Sequence, residues 1–469
     1  MEIKNINLGI FGHIDHGKTS LARVLTEVAS TSSLDKLPES KKRGITIDIG
    51  FSSFKLGNYL ITLVDAPGHA DLIRAVVSAA DIIDLAILIV DAKEGPKTQT
   101  GEHLLILDNF KIPTIVVLSK IDIASKEDLK KTENFVRAIL NSTENLKNSK
   151  ILKISTKENI GIGDLKNTLK ETLNSMDIVR NTEDYFKMPI DHGFPIKGIG
   201  TVVTGTILKG TVEVGDVLKI LPLNITDVRV KSIQRFKENV NKAYAGDRVG
   251  MALQGIDSKE LFRGCLLTST NSKLKVVKNI VAKIKISNIF KYNLKPRMKV
   301  HLNIGMLVIP ATVIPFQRIN IKGKMENIIL KEISKGDECY CSFQLEEEAV
   351  AEIGDKILIT RLDLPPTTLR ICGNGEIIDF STVEELNIKK EIIKRGTIRI
   401  DKNRILIEGL ATSKDGAEKL INSEIVVPEK NIVGKIKGTF GTKGYLMAHF
   451  NGKVENKDTV LLKRLVRWN

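Results

Sequence analysis

Residues 12–19, Gly-His-Ile-Asp-His-Gly-Lys-Thr, form a complete phosphate-binding loop, and this segment constrains the start of the chain more than any other. The pattern G-x-x-x-x-G-K-[ST] needs Gly12 and Gly17 so that the backbone can turn tightly. Successive N–H groups then point at phosphate oxygens. Lys18 supplies a point charge for the β- and γ-phosphates, and Thr19 a hydroxyl for Mg²⁺. The flanks fit: Ile6–Phe11 is a short apolar strand, and Leu21–Leu25 begins a helix whose positive N-terminus faces the phosphates. A chain built this way starts as an α/β sheet with a nucleotide at the strand ends.

The surrounding pattern agrees over residues 1–180. Strands are expected at Asn7–Phe11, Thr46–Phe54, Leu60–Asp65, Leu85–Asp91, Pro113–Ser119 and Ile151–Ser155, with helices such as Gly101–Asn109 and Asp128–Asn141 between them. That alternation predicts a mostly parallel sheet covered by helices. The polar stretch Ser175–Lys187 marks a boundary near 180. Beyond it, short β-branched runs alternate with glycine turns, as in Gly200-Thr-Val-Val-Thr-Gly205 and Gly246-Asp-Arg-Val-Gly250, which predicts closed β-barrels. The expected division is 1–180, 181–272, 273–381 and 382–469. The fold class is therefore an α/β P-loop nucleotide-binding domain followed by three β-barrel-type domains.

Charge narrows the partners. The 469 residues carry a net +15, yet residues 1–180 hold 24 basic and 23 acidic side chains, whereas residues 381–469 hold 18 and 11. The excess lies outside the nucleotide domain, where a polyanion such as RNA would dock. No apolar run approaches the ~18 residues of a membrane span, and no secretion signal is evident, so the expectation is a cytoplasmic, monomeric protein without membrane contact. Cys265, Cys339, Cys341 and Cys372 form no C-x-x-C pair and are expected as reduced, structural thiols.

Four further segments select the nucleotide. Asp65-Ala-Pro-Gly68 fits D-x-x-G at a strand end: Asp65 holds Mg²⁺ through water, and the Gly68 N–H senses a γ-phosphate. Thr46 lies 27 residues past Thr19, in a loop suited to close over the metal only when a γ-phosphate is present. Ser119-Lys120-Ile-Asp122 places a carboxylate where guanine offers two donors. Ser155, Thr156 and Lys157 follow the last strand and bring a backbone N–H to guanine O6. Asp15, His16 and Ser20 complete the lining of the phosphate loop. GTP and GDP, with Mg²⁺, are the expected ligands.

Together these segments resemble the translational GTPases, the class of elongation factor Tu. Gly-His-Ile-Asp-His-Gly-Lys-Thr, Arg-Gly-Ile-Thr-Ile and Asp-Ala-Pro-Gly-His are characteristic of that class. By resemblance, His69 positions the attacking water, and Ile14 and Ile45 keep it turned away until the ribosome engages. One departure is Ser119, where the class has Asn; a hydroxyl makes a shorter, weaker link to the phosphate loop.

The resemblance also identifies a cargo pocket. Met188-Pro-Ile-Asp191-His192 and the segment containing Arg248 correspond to the walls of the aminoacyl site. Two potential cations, His192 and Arg248, beside Asp191 suit an ionised selenol better than a neutral hydroxyl or thiol. Arg43–Phe51, Leu362–Arg370 and Gly438–Gly444 are similar to the archaeal selenocysteine-specific elongation factors over the full length. The implied partners are selenocysteyl-tRNA, the ribosome and a selenocysteine-insertion element in mRNA, reached either directly or through a bridging protein. The competing reading is the γ subunit of the archaeal initiation factor that carries initiator tRNA. It usually has a cysteine-rich zinc knuckle in the nucleotide domain, whereas this chain has no cysteine before Cys265. Elongation factor 1A lacks a fourth domain.

Overall fold

The computed structural model describes residues 4–26, 28–29, 50–65, 82–236, 238–321, 323–365, 367–401, 404–441 and 444–468. Among the sequence expectations, Ile45, Thr46, Gly68 and His69 lie outside the described residues. The chain divides into two compact units, Met1–Ile314 with Glu332–Phe380, and Pro315–Lys331 with Ser381–Asn469.

The first unit begins with a seven-stranded sheet in the order β2-β3-β4-β1-β5-β6-β7. The strands are β1 (Lys4–Gly12), β2 (Val28–Ala29), β3 (Gly50–Leu56), β4 (Tyr59–Asp65), β5 (Leu85–Asp91), β6 (Thr114–Ser119) and β7 (Ile151–Lys153). β1 lies centrally, parallel to both β4 and β5. Strands buried on both faces are near-continuous apolar runs, as Leu85–Asp91 illustrates. The helices are α1 (Lys18–Leu25), α2 (Thr98–Asn109), α3 (Lys126–Asn141) and α4 (Ile162–Ser175). Phe11, Phe51, Leu88 and Val90 pack with Leu104, Leu107, Val136 and Leu140 in one buried cluster. Ile10, Leu21, Ile87 and Ile89 pack with Leu165 and Leu169 in another. The hairpin β3–β4 is antiparallel. α4 was not expected from the sequence; its apolar positions Ile162, Leu165, Leu169 and Leu173 are buried.

A six-membered ring of strands follows: Val217–Leu221, Leu266–Ser269, Lys187–Ile196, Gly200–Thr206, Arg248–Gln254 and Ile225–Arg235, which pairs back to the first. A second ring joins Lys299–Ile304, Lys356–Thr360, Ile371–Asp379, Lys275–Ile286, Glu338–Ala351 and Leu307–Ile321, again closed on itself. Buried charge fixes one ring on the other. Glu352 accepts from Lys187 at 3.0 Å and Lys209 at 2.8 Å, and also from Tyr185. Burial alone would raise the Glu352 carboxyl; the bonds from Lys209 and Tyr185, with the charge of Lys187, outweigh it and bring it down to about 2. All four cysteines are buried and free.

The second unit contains a third closed ring: Lys389–Asp401, Arg404–Glu408, Tyr445–Phe450, Ile432–Phe440, Glu424–Val427 and Thr459–Arg467. Ile398, Ile407, Ile436, Leu446 and Leu462 lie in its core. The hairpin Pro315–Lys331 groups with this unit. Among the described residues, no helix is long and apolar enough to cross a membrane.

Candidate functional site

The phosphate loop joins the C-terminal end of β1 to the N-terminus of α1. Gly12 has φ +144°, and a Cβ there would meet the Ile89 carbonyl at 2.4 Å, so only glycine fits against β5. Gly17 caps α1 in the left-handed region at φ +98°. Lys18 is buried and donates to the Gly12 carbonyl at 2.9 Å and the His13 carbonyl at 2.8 Å. It is thereby folded back along its own loop. Burial lowers its ammonium to about 8, against the opposing pull of Asp65 and Asp15.

Thr19 Oγ1 lies 3.4 Å from Asp65 Oδ2, at the ends of adjacent elements α1 and β4. A hydroxyl and a carboxylate at this spacing are a hard, all-oxygen donor pair of the kind Mg²⁺ takes when it also keeps waters and binds phosphate. Asp15 has φ +60° and is exposed, as is Ser20; Ile14 is half-buried.

The segments expected to meet the base converge on the same edge of the sheet. Ser119, buried at the end of β6, donates its hydroxyl to the His16 carbonyl at 2.6 Å. The expected link between β6 and the phosphate loop is thus made by a single short bond. A serine suffices because the loop passes close: a Cβ on Gly17 would stand 3.9 Å from Ser119 Cβ. Lys120, at φ +56°, places its ammonium 2.9 Å from Asp91. Asp122 is exposed, and its carboxyl is held below the usual range chiefly by a hydrogen bond with Ser155. Ser155 is fully buried after β7; Thr156 is half-buried and Lys157 exposed.

Two histidines hold the loop from below. The Asp91 N–H donates to His16 Nδ1 at 3.2 Å, and the Gly12 N–H donates to His103 Nδ1 at 3.0 Å. Burial depresses His16 to about 4 and His103 to about 3, so both are neutral acceptors at pH 7. His103 was missed in the sequence because it lies on α2, 91 positions from Gly12. Its neighbour Glu102 makes a buried, two-pronged ion pair with Arg370 of the second ring, 2.9 Å on each prong.

In the first ring, Arg248 and Asp191 come together. Arg248 Nη2 lies 2.6 Å from Asp191 Oδ2, and Thr204 donates to the same oxygen at 3.2 Å. A bulge interrupts the pairing of Lys187–Ile196 with Gly200–Thr206 at Asp191. The guanidinium carbon of Arg248 sits 3.2 Å from the ring centroid of Phe51, on β3. Both members of the ion pair are buried, so the guanidinium is enclosed by Asp191 and Phe51. His192, the next residue, is half-buried. Phe51 was in view only as part of a sequence phrase; its place against Arg248 depends on how the ring docks on the sheet.

Three family models match successive parts of the chain. Residues 3–175 match the elongation factor Tu GTP binding domain, 200–268 match elongation factor Tu domain 2, and 274–381 match domain III of the archaeal selenocysteine-specific elongation factor. The chain is 63% identical over 468 residues to a selenocysteine-specific elongation factor of Methanocaldococcus jannaschii, covering 100% of this chain and 99% of that one. A mouse selenocysteine-specific elongation factor is 36% identical over 325 residues, 64% of this chain and 55% of its own length. Among solved structures, translation elongation factor SelB from Methanococcus maripaludis, in complex with the GTP analogue GppNHp, is 62% identical with a TM-score of 0.88 and full coverage of both chains. A bacterial selenocysteine-specific elongation factor is 30% identical, with a TM-score of 0.67 over 80% of this chain and 58% of that one. These matches do not favour the initiation-factor reading. An elongation-factor nucleotide domain, a second elongation-factor domain and an archaeal third domain stand in sequence, and the chain belongs to the selenocysteine-specific elongation factors, GTP-hydrolysing factors of translation.

Proposed function

We propose that this protein, in its GTP form, carries selenocysteyl-tRNA to ribosomes halted at recoded UGA codons, and that ribosome-stimulated hydrolysis releases the cargo. The observation that carries the reading is the convergence at one sheet edge of Lys18, the Thr19–Asp65 pair and the Ser119–Asp122 segment. On this reading Lys18 leaves its loop carbonyls for the β- and γ-phosphates. Asp122 accepts from guanine, and Ser155, Thr156 and Lys157 border the base. Thr19, Asp65 and Thr46 hold Mg²⁺, which neutralises charge on the phosphates. His69 orients the attacking water behind Ile14 and Ile45. The chain's contribution is positioning and charge stabilisation.

The proposed cargo pocket comprises Asp191, His192 and Arg248, with Phe51 as an additional wall. The charge of Arg248 is now engaged by Asp191, so cargo binding requires the guanidinium to be shared or turned. We assign 1–180 to the nucleotide domain, 181–272 and 273–381 to tRNA contact, and 382–469 to the ribosome or the mRNA element. The proposed factor acts as a cytoplasmic monomer and meets the mRNA element either directly or through a bridging protein.

The test is protection of the aminoacyl ester from hydrolysis with a slowly hydrolysed GTP analogue bound. Selenocysteyl-tRNA should be protected, and seryl-tRNA and initiator methionyl-tRNA should not. Loss of that protection in Arg248→Ala assigns the pocket. Equal protection of all three would overturn it.

A further inference from the structure

We propose that the nucleotide site recognises guanine without reading its N7 atom, because the side chain that faces this nitrogen, Ser119, has no hydrogen left to donate. This deepens the proposed function and rests on its placement of the base at Asp122.

Guanine presents the N2 amino group, N1–H, O6 and N7 in succession around its rim. The first two donate and the last two accept. Asp122 is exposed, and its carboxylate, engaged by Ser155, suits the two donors. The backbone that follows β7 suits O6. N7 then lies farthest from Asp122, on the ring that carries the sugar, and the sugar leads to the phosphates. The protein segment runs the same way. Asp122 stands at its outer end, while Ser119 closes β6 and is bonded to the phosphate loop. Ser119 is therefore the side chain set towards N7.

The N7 lone pair can only accept, and a serine hydroxyl has one hydrogen. That hydrogen goes to the His16 carbonyl at 2.6 Å; the alternative partner is another carbonyl, that of Val90 at 3.3 Å. Both Ser119 and His16 are buried. Turning the hydroxyl to N7 would strand the His16 carbonyl, and an orphaned buried acceptor costs more than one new hydrogen bond returns. The nearby cations are engaged as well: Lys120 lies 2.9 Å from Asp91, and Lys157 is exposed and 3.7 Å from Glu158. Ser119 thus turns oxygen lone pairs towards a nitrogen lone pair, and N7 keeps its water. Adenine also carries N7. Omitting that contact gives up affinity without weakening the choice of guanine, which Asp122 and the O6 contact make.

The test is displacement of a fluorescent GDP from the full chain by GDP, by 7-deaza-GDP, whose N7 is replaced by C–H, and by IDP, which lacks the N2 amino group. A bridging water is a weak tie, so 7-deaza-GDP should bind within about threefold of GDP. IDP should bind about tenfold more weakly or worse, because it loses a hydrogen bond to a charged group. Asparagine has two donor hydrogens, so Ser119→Asn should open a preference of about tenfold for GDP over 7-deaza-GDP. The proposal is overturned if the parent rejects 7-deaza-GDP as strongly as it rejects IDP. It is equally overturned if Ser119→Asn, melting like the parent, treats GDP and 7-deaza-GDP alike. In both cases weak IDP binding shows that the base is still held at Asp122. Parity of IDP with GDP would instead sink the placement at Asp122, and this inference with it.

Discussion

Replacing Ser119 by alanine should weaken guanine-nucleotide binding by roughly 5- to 150-fold, although Ser119 need not touch the nucleotide. Its hydroxyl has one hydrogen, and of the two carbonyls in reach that of His16 is closer, at 2.6 Å against 3.3 Å for Val90. Ser119 is 4% exposed and His16 1%, so water cannot replace the lost donor. An orphaned buried acceptor costs about 1–3 kcal/mol. The free protein can relax this cost by letting the phosphate loop shift, whereas bound phosphate requires the loop in place. The penalty therefore falls on the complex, where each 1.4 kcal/mol is about tenfold in affinity. Most of it should appear as faster dissociation, read by release of a fluorescent GDP in stopped flow. Ser119→Thr keeps the hydroxyl and should stay close to the parent. Alanine release rates within twofold of the parent would show that the link does not tie the base segment to the phosphate loop.

Three other outcomes follow from the same geometry. Burial brings the Lys18 ammonium down to about 8, and a phosphate beside it favours its charged form. GDP affinity should therefore decline as pH rises through 8, and a flat profile from pH 7 to 9 would refute this. His16 and His103, held at about 4 and about 3, resist protons that the unfolded chain accepts below 6.5. Their contribution is complete above pH 6.5 and lost by about 1.4 kcal/mol per pH unit for each as pH falls towards 4. Denaturant midpoints at pH 7 and 5.5 read the slope, which His103→Gln should shallow. Arg370→Ala leaves Glu102 as an uncompensated buried charge at a cost of about 3–5 kcal/mol, seen as a lower midpoint; Glu102→Gln in the same chain should recover part of it, and additive losses would refute the pairing.

Much of the geometry of the candidate nucleotide site was legible because its parts are local. The glycines at 12 and 17, the lysine and the threonine lie within eight positions, and each later segment follows an apolar strand. Strand ends in a parallel sheet meet at one edge, so order along the chain sufficed to gather Asp65, Ser119, Asp122 and Ser155. Arg248 and Asp191 were drawn together only through the resemblance, and their burial against Phe51 was not foreseen.

The amino-acid sequence by itself determined the phosphate loop, the strand–helix alternation and the excess of basic residues outside the nucleotide domain. Those properties reside in short spacings, periodicity and composition. Only tertiary structure decided that His103 supports Gly12, that Glu102 grips Arg370 268 positions away, and that Phe51 covers Arg248. A contact between distant segments leaves no periodic trace in either one, because it depends on how closed rings and a sheet come to share a surface.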